Sequence, residues 1–185
     1  MTRDEAWDLL CEHTKGESLR KHALAVEASM RHFARKQGED EEAWAVTGLL
    51  HDFDYEHDPG GHPQNGRPIL EQAGVPGPIV HAIQTHGDHI GLPRVTLMEK
   101  TLYAVDELTG FIAAVALVRP SKRVADVDPA AVRKKMKDKA FARAVDREAL
   151  LRGAQDLGTD YDALVVEVVV AMSGEADRLG LAGPS

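Results

Sequence analysis

Leu49-Leu50-His51-Asp52-Phe53-Asp54 is an apolar run that ends in two adjacent side chains able to bind a metal. Apolar residues precede it from Ala43 onward, so the His51-Asp52 pair is expected at the end of a buried segment. An unpaired charge in a protein interior costs several kcal/mol. The pair therefore needs partners, which are either a divalent cation or a hydrogen-bonded arrangement that caps a helix.

The length and hydropathy of the chain predict one soluble domain. Its 185 residues contain no linker rich in Pro, Gly or Ser, so we expect a single domain over residues 1–185. The apolar run from Gly110 to Val118 is far too short to span a membrane, and residues 1–5 are acidic rather than signal-like. We therefore expect a cytoplasmic location and no membrane partner.

Charge and cysteine content narrow the set of partners. The net charge of -8 at pH 7 disfavours nucleic acid, because proteins that bind it usually present a basic face to the phosphates. The negative net charge is still compatible with a small anionic ligand if basic residues are locally concentrated. Cys11 is the single cysteine, which excludes an internal disulfide and gives no sign of cysteine catalysis.

Helical periodicity and capping signals run through the chain and predict an all-α fold. Thr2–Glu5 and Thr96–Glu99 have the spacing of capping boxes, and Gly38 is placed to end the second helix. The valine-rich stretch Leu164 to Val170 is predicted to be helical, because it is long and has no partner strand. Further helix starts are predicted at Asp40, His62-Pro63, Pro76, Asp128-Pro129 and Asp146, with a final helix from Asp160 to about Leu179.

Two of the predicted helices carry a polar side chain among apolar neighbours. His22 shares its stripe with Val26 and Met30, and Asp106 follows Val105 in the middle of a long helix. A histidine on an apolar face is either a structural residue whose ring nitrogens are hydrogen-bonded or a metal ligand. A carboxylate there is either solvent-facing or paired.

The order His22, His51-Asp52, Asp106 on successive helices resembles the HD-domain superfamily of metal-dependent phosphohydrolases, in particular its small bacterial members of the HDIG type. The spacings, 29 residues from His22 to His51 and 54 from Asp52 to Asp106, fit that family. The resemblance implies an all-α HD-domain helical bundle with its core motif at about residues 18–118. Helices within residues 129–180 would pack on this motif.

The resemblance also implies a metal site with one or two ions. Some members bind two metals and add a histidine in a His-x-x-x-Gly setting and another at the end of the following helix, and His62 to Gly66 and His86 match those places. The two oxygens of Asp52 could bridge the ions. Nitrogen and oxygen ligands suit Mn, Fe, Co, Ni or Zn. The implied ligands are His22, His51, Asp52, His62, His86 and Asp106.

The sequence departs from the common His-Asp-Ile-Gly motif, because Phe53 and Asp54 follow the His-Asp pair. Asp52, Asp54 and Glu56 are candidate catalytic residues that activate or orient water, although the last two also fit a solvated acidic loop. Lys122 and Arg123 are candidates for binding substrate phosphate, although they also fit a solvated helix face.

The residues and the resemblance together predict metal-dependent hydrolysis of a nucleotide or a related small phosphate ester. A divalent ion lowers the pKa of bound water toward about 7, which makes phosphate-ester hydrolysis the natural reaction class. Two alternatives remain open at this stage. One is a non-catalytic regulatory domain that binds a nucleotide, and the other is a di-iron oxygenase with the same fold.

Overall fold

The computed structural model describes residues 1–184, and ten α-helices form the architecture of this part of the chain. No β-strand occurs within these residues, and the only extended pairing is an isolated antiparallel bridge between Arg123 and Ala182. The all-α prediction is therefore confirmed. The helices are α1 (Arg3–His13), α2 (Glu17–Gln37), α3 (Glu41–Leu50), α4 (Arg67–Gln72), α5 (Gly77–Thr85), α6 (Leu97–Leu117), α7 (Pro129–Met136), α8 (Arg147–Leu157), α9 (Tyr161–Ser173) and α10 (Ala176–Leu179).

The predicted capping signals determine where most of the helices begin. Thr2 and Thr96 both form complete capping boxes with the glutamate three residues later. Aspartate side chains accept backbone N–H groups at the starts of four further helices, and Gly38 ends α2 in the left-handed conformation with φ 73°. The four aspartate caps are Asp40, Asp128, Asp146 and Asp160.

The predicted helix start at His62-Pro63 is wrong. Residues 51–66 form a series of turns, and α4 begins only at Arg67. Asp58 explains the difference, because its carboxylate accepts the Gly61 backbone N–H at 3.0 Å and the Asn65 side-chain amide at 2.7 Å. Local bonds of this kind compete with helical hydrogen bonding. We call residues 51–66 the turn segment.

The predicted final helix is divided into two. Helix α9 ends at Ser173, and α10 begins at Ala176. Gly174 lies at the break, and the Glu175 N–H bonds to the Met172 carbonyl at 3.1 Å in a tight turn. Glycine is less favourable than alanine inside a helix by about 1 kcal/mol, which makes this position a natural end.

Helices α2 and α6 form the centre of the bundle. Helix α2 packs against α3, α6 and α9, and α6 also packs against α5 and α8. Their buried faces supply fully buried side chains such as Met30, Leu108 and Ile112 to one continuous apolar core. None of the described helices combines the length and hydropathy that a membrane crossing requires.

Helices α6 and α8 approach each other closely at Gly153. A Cβ atom at this position would lie 2.8 Å from the backbone Cα of Ala104. Since the obstructing atom belongs to a helix backbone, it cannot move aside as a side chain would. The absence of a side chain at Gly153 therefore sets the distance between the two helices.

We expect Gly153→Ala to destabilise the protein. Overpacking costs about 1–3 kcal/mol, and the higher helix propensity of alanine returns about 1 kcal/mol, so a net loss of up to about 2 kcal/mol is expected. Urea unfolding followed by circular dichroism measures the change. Gly77→Ala is the control, because a Cβ there meets no atom within 4 Å. Equal unfolding free energies for the two variants would contradict this account of the α6–α8 contact.

Candidate metal centre

Five places in the fold bring the predicted ligands together. His22 projects from α2 and Asp106 from the middle of α6. His51 and Asp52 follow the last residue of α3, and His86 follows the last residue of α5. The sixth predicted ligand, His62, comes from the turn segment.

One group of four side chains converges around His22. Its Nε2 atom lies 3.2 Å from His51 Nε2, 3.0 Å from Asp106 Oδ1 and 3.7 Å from Asp52 Oδ2. His51 Nε2 in turn lies 3.2 Å from Asp106 Oδ1 and 3.4 Å from Asp52 Oδ2. We call these four residues the first ligand group.

A second group shares Asp52 with the first. The other oxygen of this carboxylate, Oδ1, lies 3.1 Å from His62 Nε2 and 3.4 Å from His86 Nε2. The two histidine Nε2 atoms are 3.1 Å apart. Asp52, His62 and His86 form the second ligand group, so the two oxygens of Asp52 face different groups.

Three of the four histidines are oriented through their Nδ1 atoms. His51 Nδ1 donates to the Gly48 carbonyl at 2.8 Å, and His86 Nδ1 donates to the Ile83 carbonyl at 2.6 Å. These carbonyls belong to the last turns of α3 and α5, where helical partners are lacking. His62 Nδ1 donates to Asp54 Oδ1 at 2.6 Å. Each imidazole therefore presents Nε2 to the centre.

The facing Nε2 atoms favour a positive charge between them. When Nδ1 carries the proton, the Nε2 of a neutral imidazole is an acceptor, and carboxylate oxygens are acceptors too. This holds for His51, His62 and His86, so the second ligand group gathers three acceptors without a neutral donor, and in the first group only the His22 ring could supply one. Atoms bound to one ion at about 2.0–2.1 Å lie about 3.0–3.4 Å from each other, which matches most of the separations in both groups. The donor set fits divalent transition metals.

Burial and the neighbouring charges shift the pKa values of the ionisable groups in opposite directions. Burial opposes protonation of His51 and His62, but the neighbouring carboxylates outweigh it. Asp52 and Asp106 raise the pKa of His51 well above its ordinary value, and Asp52 and Asp54 raise the pKa of His62 to about 9. Burial favours the protonated form of Asp52 and Asp106, yet the histidines hold the pKa of both carboxyls below the ordinary range.

The ligands open onto a cavity of about 420 Å³. Asp52 and Asp106 are partly exposed at its base, whereas His51, His62 and His86 are buried beneath. Its walls come from α6, α8 and the segment after α5, and they include residues that the sequence did not single out. These are Tyr55, Asp88, Tyr103, Glu107, Asp146 and Leu150.

Glu107 and Asp88 show why sequence reasoning missed the cavity wall. Glu107 follows Asp106 directly, and burial followed by the Asp106 charge raises the pKa of its carboxyl. Adjacency to a ligand was the signal available for Glu107. Asp88 accepts Tyr103 Oη at 2.8 Å, and it also pairs with Arg94 and Arg152. That network joins three distant parts of the chain, which no local pattern indicates.

The structure does not bring two of the predicted catalytic residues to the cavity. Asp54 is buried behind His62, and a Cβ atom on Gly66 would overlap its Oδ2 atom, so the turn segment closes tightly over it. Glu56 points away and accepts the backbone N–H groups of Lys15 and Gly16. Asp54 is therefore a positioning residue for His62, and Glu56 holds the turn segment to the start of α2.

The predicted phosphate-binding pair also lies elsewhere. Lys122 and Arg123 are exposed and are absent from the cavity lining. Arg123 instead forms the isolated bridge with Ala182, and its side chain lies beside Gly183. The loop after α6 turns away from the ligands, because Lys122 has φ 48° and the Val124 N–H bonds to the Leu181 carbonyl at 2.9 Å.

These features define an all-α protein with two histidine and aspartate groups that could hold metal ions around a shared carboxylate. The chain belongs to the HD domain family, whose model matches residues 19–111, just over half of its length. The matched range contains all six predicted ligands, and the resemblance to the HD-domain superfamily is confirmed. Comparisons with curated proteins and with solved structures found no match.

We expect Asp54→Ala to weaken metal binding at the second ligand group. Loss of the 2.6 Å bond frees the His62 ring to rotate, and removal of such an orienting partner typically lowers metal affinity about 10–100-fold. Glu56→Ala is a matched control from the same turn segment. Competition with a metal chelator, read by elemental mass spectrometry, compares the two variants. Equal metal retention by both would contradict the positioning role of Asp54.

Metal affinity is expected to rise with pH. The pKa of His62 is about 9 rather than 6.5, so near neutral pH its Nε2 carries a proton that a metal must displace. Affinity should therefore increase from about pH 6.5 to about pH 9, with proton release on binding. Calorimetry in two buffers of different ionisation enthalpy measures that release. Binding without proton release at pH 7.5 would contradict the raised pKa.

Proposed function

We propose that this protein is a metal-dependent phosphohydrolase that acts on a small phosphate ester, with nucleotides as one class of candidate. Members of the HD domain family are generally metal-dependent phosphohydrolases. The observation that carries the proposal is the position of Asp52, whose two oxygens face two separate groups of Nε2 acceptors. This arrangement is suited to a pair of divalent ions.

The first ligand group would hold one ion, and the second would hold the other. When bound, such ions supply Lewis acidity toward a phosphoryl oxygen and lower the pKa of coordinated water from about 16 toward about 7. The ligand histidines contribute orientation, because their Nδ1 bonds fix the ring planes before any ion arrives. Asp52 contributes a fixed separation between the two groups.

The charge of the cavity supports a reaction that depends on metal. No lysine or arginine lines it within residues 1–184. Asp52, Asp88, Asp106, Glu107 and Asp146 make the lining rich in carboxylates, which do not attract a phosphate group. Arg94 and Arg152 are paired with Asp88 rather than directed at the ligands. Bound cations would therefore provide the attraction for substrate phosphate.

The experiment begins with metal content per chain on protein purified without chelators, measured by elemental mass spectrometry. We expect about two ions in the wild type and about one in His86→Ala, because the second ligand group loses a ligand. His57→Ala is the matched control, since His57 is exposed and belongs to neither group. Asp52→Ala should lose both ions, because it removes the shared carboxylate.

Phosphate release from a panel of mono- and diesters, tested with each metal, then measures turnover. We expect activity in the wild type and His57→Ala, and a loss of more than about 100-fold in Asp52→Ala. Wild-type rates in Asp52→Ala would contradict the proposal. Bound metal without hydrolysis would favour the nucleotide-binding regulatory alternative, and substrate-dependent oxygen consumption would favour the di-iron oxygenase alternative.

A further inference from the structure

A second cavity, of about 550 Å³, adjoins the one that contains the ligands. It lies between α2, α6 and the chain after α9. His22 and Gly110 line both cavities, so the two meet at this pair of residues. Volumes between about 300 and 1,000 Å³ are typical of small-molecule sites.

The lining of the second cavity is apolar over most of its side chains. Its hydrophobic members come from four helices, α2, α6, α9 and α10, and from the chain that follows α10. They are Ala25, Ala113, Ala114, Leu117, Met172, Leu179 and Leu181.

Four of the five polar side chains in this lining have partners, and the fifth, Ser18, is exposed. Lys21 Nζ pairs with Glu17 at 2.6 Å, which neutralises the one ammonium group in the wall. Thr109 Oγ1 donates to the Asp106 carbonyl at 2.8 Å within its own helix. His22 directs its Nε2 at the first ligand group. Few groups are left to recognise a polar ligand.

Short side chains line the place where the two cavities meet. Gly110 has no side chain, and even a Cβ atom there would lie 3.9 Å from His22 Nδ1, an ordinary contact distance. Ala113 and Ala114 continue this face of α6 by one further turn, and each ends at Cβ. A leucine at either alanine would project into the second cavity.

We propose that the second cavity binds the apolar part of the substrate, an alkyl or acyl chain, while its phosphate group lies at the metal centre. This inference rests on the proposed function and specifies its substrate class. A nucleobase has polar edges that lose hydrogen bonds to water when buried without partners, which disfavours it here. An apolar chain loses none, and each buried methylene group contributes roughly 0.8 kcal/mol of transfer free energy.

Binding of two non-hydrolysable probes tests the inference. Ethylphosphonate and octylphosphonate carry the same headgroup and differ in chain length, and calorimetry with manganese-loaded protein gives the ratio of their dissociation constants. We expect octylphosphonate to bind more tightly by at least about tenfold, because six further methylenes enter the cavity. Ala113→Leu should bring the ratio close to one. Ala130→Leu, on the exposed surface of α7, is the control and should retain it.

Folding of the variants is checked by thermal unfolding, and Ala114→Leu replaces Ala113→Leu if the latter does not fold. A ratio near one in the wild type would overturn the inference. So would a ratio that survives in the leucine variants. The phosphonate analogue of adenosine monophosphate is a third non-hydrolysable probe, and it would overturn the apolar assignment if it bound as tightly as octylphosphonate and were weakened by the same substitution.

Asp52→Ala separates this inference from the proposed function. If the phosphonate headgroup binds at the metal centre, this substitution weakens both probes while the chain-length ratio persists. If both affinities are unchanged but Ala113→Leu still removes the ratio, the cavity binds apolar chains and the placement of phosphate fails, which overturns the inference as stated. Hydrolysis of short esters without any chain-length preference would support the proposed function and reject the second cavity as a subsite.

Discussion

The structure is organised around the need to hold seven nitrogen and oxygen atoms of six side chains close together, with His22 as the only side chain able to supply a neutral donor among them. Such an arrangement is unfavourable unless a cation or protons occupy it, and the surrounding fold supplies the rigidity that it demands. The carbonyls at the ends of α3 and α5 fix two imidazoles, and Asp54 fixes a third. The raised pKa values of His51 and His62 are the electrostatic sign of this constraint.

Most of the fold could be predicted from the sequence because its signals are local. Capping boxes, aspartate caps and a stripe of apolar residues determine helix type and length over one or two turns. The ligands could be nominated for a related reason. His22, His51 and Asp106 are polar side chains at apolar positions of recognisable helices, and the order in which they occur carries the family resemblance.

The errors concern segments in which side chains determine the path of the chain. The turn segment is held by Asp58 and by the close approach of Gly66 to Asp54, so neither its shape nor the direction of Glu56 follows from periodicity. The position of Lys122 and Arg123 shortly after α6 in the sequence predicts that they lie near the ligands. Their actual position depends on a long-range bond between Val124 and Leu181, which no local pattern reveals.

The range matched by the family ends at residue 111, yet both cavities have walls from beyond it. Val145 to Leu150 closes one side of the ligand cavity, and Leu179 to Leu181 closes one side of the second. The matched range holds all six predicted ligands and most of the ligand-cavity lining, whereas half of the second-cavity lining comes from after residue 111. Under the proposed function, mutations in this later stretch would alter substrate preference without touching a predicted metal ligand, so specificity could evolve while the metal centre stays unchanged.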